Sequence, residues 1–137
     1  MQLKKIPIQS ILLVLNQTTL NEDLREVIKS INSDLIAENV KITNISSQKV
    51  EDVYLDEYDL IILEASFNNK GGEYSNSLNA LTHLLNNNHT EKIALITFPN
   101  SQVWDDLCFS LQIPKIHKTD MWSGMNNVLI DQIRAGL

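Results

Sequence analysis

Leu60-Ile61-Ile62-Leu63, closed by Glu64, decides how the rest of the chain is read. Aliphatic residues in unbroken succession, with no polar residue at every second position, mark a strand covered on both faces. The run lies inside a predicted strand over residues 58–67. Asn68-Asn69-Lys70-Gly71-Gly72 follows it, and asparagine and glycine in that density are turn chemistry. Two further runs have the same character: Ile11-Leu12-Leu13-Val14-Leu15 within residues 10–16, and residues 93–98, stopped by Pro99. Strands buried on both faces require helices above and below the sheet, hence parallel strands joined by helical crossovers.

The segments between the strands supply those helices. Leu20, Leu24, Val27, Ile28, Ile31 and Leu35 recur at helical spacing; Thr19 with Glu22 fits a capping box, and Asp23 adds negative charge to the first turn. Val40, Ile42 and Ile45 alternate as an edge-like second strand, and Ser46 or Ser47 can cap a short helix carrying Val50, Val53 and Tyr54. Leu78, Leu81, Leu84 and Leu85 form a third helix ended by Asn86-Asn87-Asn88. Val103, Trp104, Leu107, Cys108 and Leu111 suit a fourth. A short fifth strand over residues 113–117 precedes a last helix with Met125, Val128, Leu129 and Ile133. Five β–α units predict an α/β, three-layer (βα)5 sandwich on a five-stranded parallel sheet. The order 2-1-3-4-5 puts the continuous apolar strands one, three and four in the middle and the weaker two at the edges. Functional loops in such a fold lie beyond the carboxyl ends of the strands, here residues 15–20, 64–72, 97–102 and 117–121.

Composition narrows the function. The 137 residues, 43% apolar and 20% charged with no internal shift, are expected to form one domain over residues 1–137. A net charge of −6 with no basic stripe argues against contact with a nucleic-acid backbone. No apolar run is long enough to span a bilayer, and no apolar stretch follows Lys4 and Lys5 as a signal peptide requires. The single cysteine, Cys108, excludes an internal disulfide and suits a reducing, cytoplasmic compartment; beside Leu107 and Phe109 it reads as packing rather than as a nucleophile. His83, His89 and His117 are the only histidines; His83 lies in the third helix and His89 in its asparagine-rich exit, with no cysteine or carboxylate at ligand spacing, so no metal site is expected. Glu51/Asp52, Asp56/Glu57 and Asp105/Asp106 are sequence neighbours that splay apart as solvated faces, and nothing supports an enzyme.

Flavodoxins and signalling receivers share this strand order, and the loops separate them. A flavodoxin cradles the FMN phosphate in a glycine- and hydroxyl-rich turn after strand one. Here that turn is Asn16-Gln17-Thr18-Thr19-Leu20-Asn21, without glycine and followed by Glu22 and Asp23, whose charges compete with a phosphate. Phe67 and Trp104 are the aromatic residues available to sandwich a flavin ring. An FMN-binding electron-transfer protein is therefore the weaker alternative, and no cofactor is expected.

The chain resembles response-regulator receiver domains, the CheY-like fold, over nearly its whole length. Ile11-Leu12-Leu13-Val14-Leu15-Asn16 is similar to the receiver's first strand, which runs into an acidic pair. Asp59-Leu60-Ile61-Ile62-Leu63-Glu64 is similar to its third strand, which ends in the phospho-accepting aspartate. Residues 93–97 resemble the fourth strand with its terminal hydroxyl residue, Thr97. His117-Lys118-Thr119 falls where the family has Lys-Pro, and residues 120–134 match the last helix.

The resemblance implies its own departures. The acidic pair that holds Mg²⁺ in the family is replaced by Leu15 and Asn16, and the acceptor position holds Glu64, one methylene longer than aspartate. A pseudo-receiver is expected, one that neither binds Mg²⁺ well nor accepts a phosphoryl group. Thr97 and Lys118 are the switch-like residues that remain, and a Lys118–Glu64 pair would imitate the engaged state permanently. The family dimerises through its fourth helix, fifth strand and fifth helix. Trp104, Met121 and Trp122 are the candidate contact residues there, with core filling as the alternative for each. The implied partner is another protein or a second copy; no nucleic-acid contact by this domain and no membrane contact is expected. The termination at Arg134-Ala135-Gly136-Leu137 suggests either a stand-alone regulator or the N-terminal part of a longer transcription regulator.

Overall fold

The computed structural model describes residues 7–16, 18–31, 35–65, 73–86, 92–97, 102–117 and 127. Five strands, β1 (Ile8–Leu15), β2 (Ile36–Ser46), β3 (Leu60–Ala65), β4 (Ile93–Thr97) and β5 (Lys115–His117), form one sheet in the order β2-β1-β3-β4-β5. Every pairing is parallel. The predicted sheet and strand order are therefore the observed ones. The helices are α1 (Thr18–Lys29), α2 (Glu73–Asn86) and α3 (Gln102–Leu111), the last being the predicted fourth helix. The predicted last helix, over residues 120–134, lies outside the described residues apart from residue 127.

Burial follows from strand alternation. Ile11, Leu13, Leu15, Leu60, Ile62, Ala94, Ile96 and Ile116 face α1, which contributes Leu24, Val27 and Ile28. Leu12, Val14, Ile61, Leu63, Ala65, Ile93 and Leu95 form the opposite core with Ala80, Leu81 and Leu84 of α2 and Trp104 and Cys108 of α3. Each central strand thus presents a side chain to both layers, which is why its apolar run is unbroken. Trp104 is fully buried there, so of its two readings the core one holds and the contact one is corrected. Cys108 is likewise buried, and desolvation, only partly offset by nearby Lys115, pushes its thiol up to about 11.

Three local features differ from the sequence reading. Helix α1 begins at Thr18 and ends at Lys29. Thr19 therefore lies inside the first turn instead of capping it, Glu22 and Asp23 fall beyond that turn, and Ile31 and Leu35 pack on the core from outside the helix. The second crossover holds no α-helix but two 3-10 segments, Ser47–Asp52 and Leu55–Glu57. Val50 and Leu55 pin them to the core, and the Lys92 Nζ donates to the Leu55 and Tyr58 carbonyls, each at 2.9 Å. Ile113, predicted in strand five, instead closes α3: its N–H donates to the Cys108 carbonyl at 3.0 Å while Gln112 sits at φ 56°.

β2 is longer than predicted because it carries a bulge. The register passes from Ile8↔Ile36 to Ser10↔Lys41, so two steps along β1 match five along β2. Asp59 holds the start of β1 near this irregularity. Its carboxylate accepts from the Gln9 N–H at 2.9 Å and the Ser10 N–H at 3.3 Å. Its own N–H donates to the Ser10 carbonyl at 3.0 Å, and the Ser10 hydroxyl donates to the Glu57 carbonyl at 2.8 Å.

Candidate functional site

The carboxyl ends of β1, β3 and β4 lie side by side because the sheet is parallel. β1 delivers Leu15 and Asn16, β3 delivers Glu64 and β4 delivers Thr97. Ladder pairs Glu64↔Ile96 and Ala65↔Thr97 set Glu64 and Thr97 one residue out of step across neighbouring strands. By alternation their side chains leave opposite faces of the sheet.

Glu64 is fully buried and tied into a ring of hydrogen bonds. Its Oε1 accepts from the Asn16 backbone N–H at 2.8 Å. The Asn16 Nδ2 donates to the Ser77 Oγ at 3.0 Å, and the Ser77 Oγ donates to the Glu64 carbonyl at 2.8 Å, which closes the ring through α2. The Ser47 Oγ donates to the Asn16 Oδ1, joining the first 3-10 segment to the same asparagine. Burial raises the free energy of a carboxylate unless donors solvate it, and here the strand end of β1 supplies one.

The remaining site residues divide by position. Leu15 packs in the α1-side core and offers no donor or acceptor from its side chain. Thr97 is fully buried, and its hydroxyl makes no hydrogen bond among the described residues. Lys118, Met121, Trp122 and Phe67 lie outside the described residues. Among the described residues no group of three or more His, Cys, Asp and Glu side chains gathers at metal-holding distance, and no helix is long and apolar enough to cross a membrane.

Ser77 in the ring and Ser47 attached to it carry no site signal in the sequence alone. On sequence Ser47 reads only as a helix cap, and the cap is Ser46, whose Oγ accepts from the Gln48 N–H at 3.4 Å. Ser77 stands beside Leu78 in a polar stretch, Asn76-Ser77, that reads as the wet face of a helix. Its placement facing Glu64 is visible as a signal only from α2's apolar residues: Ser77 lies three and four positions before Ala80 and Leu81, on the same buried stripe.

Comparison with solved structures agrees with this architecture. The signal receiver domain assigned to a Luxo repressor protein from Vibrio parahaemolyticus superposes with a TM-score of 0.68 at 15% identity, covering 93% of this chain and 92% of that one. The receiver domain of AraT, a response regulator from Geobacillus stearothermophilus, gives 0.61 at 14% identity over 93% and 95%. A response-regulator receiver domain from Rhodospirillum rubrum gives 0.51 at 9% identity over 93% and 94%. The fold is the receiver fold. No family model and no curated protein sequence matches the chain.

Proposed function

We propose that this domain is a regulatory module on the receiver fold that acts by contact with a protein partner or a second copy, without a phosphorylation cycle. The observation that carries the reading is the ring around Asn16. A receiver's Mg²⁺ needs several hard oxygen donors free to close an octahedron around it. Leu15 contributes none. Both ends of the Asn16 amide are engaged by Ser47 and Ser77, and the Glu64 Oε1 is engaged by the Asn16 N–H. These residues do not fit the ion, and a buried, longer carboxylate at the acceptor position is poorly placed for in-line attack. Retention of Thr97 and Lys118 fits a module descended from a switch. Transcription regulation would come from an output domain elsewhere, consistent with the chain's acidity.

The test is incubation of the protein with acetyl phosphate and Mg²⁺ followed by intact-mass measurement. The mass is expected to stay unchanged, and a gain of one phosphate overturns the reading.

Self-association is proposed through α3, β5 and the residues that follow. With Trp104 in the core, the apolar side chains that α3 exposes are Phe109, 86% accessible, and Val103, 53%. Sedimentation should show a dimer that Phe109→Asp dissociates; a monomer at high concentration removes the dimer and leaves a heterologous partner. Among the described residues no observation favours FMN: Trp104 is not available to stack on a flavin, and α1 starts directly at Thr18.

A further inference from the structure

Three of the hydrogen bonds described around Asn16 close on themselves, and a fourth leads out of the ring. Backbone N–H to Glu64, side-chain amide to Ser77 and Ser77 back to the Glu64 carbonyl close on themselves. The exit is the Ser47 hydroxyl on the Asn16 Oδ1, at the first residue of the 3-10 segment Ser47–Asp52. Glu64, Ser47 and Ser77 are buried, where hydrogen bonds polarise one another and are costly to leave unmade. The amide Oδ1 and Nδ2 share one rigid plane. A tilt of that plane toward or away from Ser77 must therefore move the acceptor that holds Ser47. A second tie at this end, the Ser46 cap, is long at 3.4 Å.

We propose that Asn16 is a positioning residue that couples the Glu64 carboxylate to the 3-10 segment Ser47–Asp52, which makes that segment the output element of the site. The proposal rests on the contact-regulator reading and deepens it by naming where a change at the strand ends is delivered. The segment is pinned midway by Val50 in the α2-side core and leads on to Tyr54, 65% exposed, before Leu55 and Lys92, on the Leu55 and Tyr58 carbonyls, hold the chain again. Motion released at Ser47 is confined between those anchors. Whatever draws the Glu64 carboxylate off the Asn16 N–H loosens the segment, and by reciprocity a partner seated on the segment alters the hold on Glu64.

The experiment is amide hydrogen exchange on the full chain for wild type, Glu64→Gln, Asn16→Ala and the double variant, with circular dichroism confirming that each is folded. Glu64→Gln is expected to speed exchange across residues 47–53 at least about five-fold, the lower end of typical coupling. In the Asn16→Ala background it should add nothing there. Unchanged exchange at 47–53, or the same acceleration with and without the Asn16 side chain, overturns the coupling. Should Glu64→Gln not fold, Ser47→Ala tests the reverse direction: faster exchange of the Asn16 amide is expected, and wild-type protection of that amide overturns the proposal. Neither readout involves a phosphoryl donor or a partner. Failure here leaves the phosphorylation-independent reading standing, whereas labelling by acetyl phosphate removes that reading and leaves the measured coupling without its contact-regulator role.

Discussion

Asp59 spends its carboxylate on two backbone amides at the start of β1, where the ladder to β2 is out of register. Asp59→Ala strips the acceptor from both exposed amides and is expected to destabilise the domain by about 0.5–1.5 kcal/mol, read from the urea midpoint. An unchanged midpoint would mean that water replaces the carboxylate at no cost. Cys108 gives the opposite kind of test. Its folded thiol titrates near 11 against an ordinary 9.0, so between those values the folded state holds a proton that the unfolded chain has released. The stability it contributes is complete below about pH 9 and falls as pH rises through about 11, because unfolding then releases a proton. The stability difference between wild type and Cys108→Ala should shift against the wild type from pH 8 to pH 11. At pH 8 iodoacetamide should label the folded protein far more slowly than the unfolded chain. At this scale the sequence was partly legible. The identities at positions 15, 16 and 64 were plain, but the use made of Asn16 depends on Ser47 and Ser77, 31 and 61 residues away.

At the scale of elements, α3 ends with Gln112 in the left-handed region at φ 56°. A side chain there crowds the following carbonyl, and glycine is the usual solution. Gln112→Gly is expected to stabilise the domain by about 1 kcal/mol, as a rise in melting temperature with the Ile113–Cys108 backbone bond intact. A fall would show that the glutamine side chain makes a compensating contact. Strands β1, β3 and β4 were legible because burial on both faces leaves an unbroken apolar run, a pattern no surface element imitates. The second crossover was less so. Val50, Val53 and Tyr54 fit helical spacing, yet the polypeptide there is held by Val50, Leu55 and Lys92 into two 3-10 segments. Short elements take their form from such anchors more than from propensity. The start of α1 illustrates the same limit, since a capping-box pattern at Thr19 was overridden by a helix beginning one residue earlier.

At the scale of the whole molecule, the sheet order could be derived because two runs too weak for the interior had to take the edges. That reasoning does not reach the ends of the edge strands, and β2 runs four residues further back than its alternation suggested, to Ile36. The bulge within it has a consequence for behaviour in concentrated solution. β2 spans eleven residues, and a long, straight strand at a sheet's margin is a template on which other chains can add. The extra residues between Ile36 and Lys41 break the spacing of its outward amides and carbonyls, and Glu38 and Lys41 put charge beside the break. An incoming strand finds a matching row only beyond Lys41, where the Arg25 guanidinium already holds the Ile42 carbonyl at 3.2 Å. The irregularity thus guards the domain against polymerising along its own sheet, leaving association to faces built from side chains.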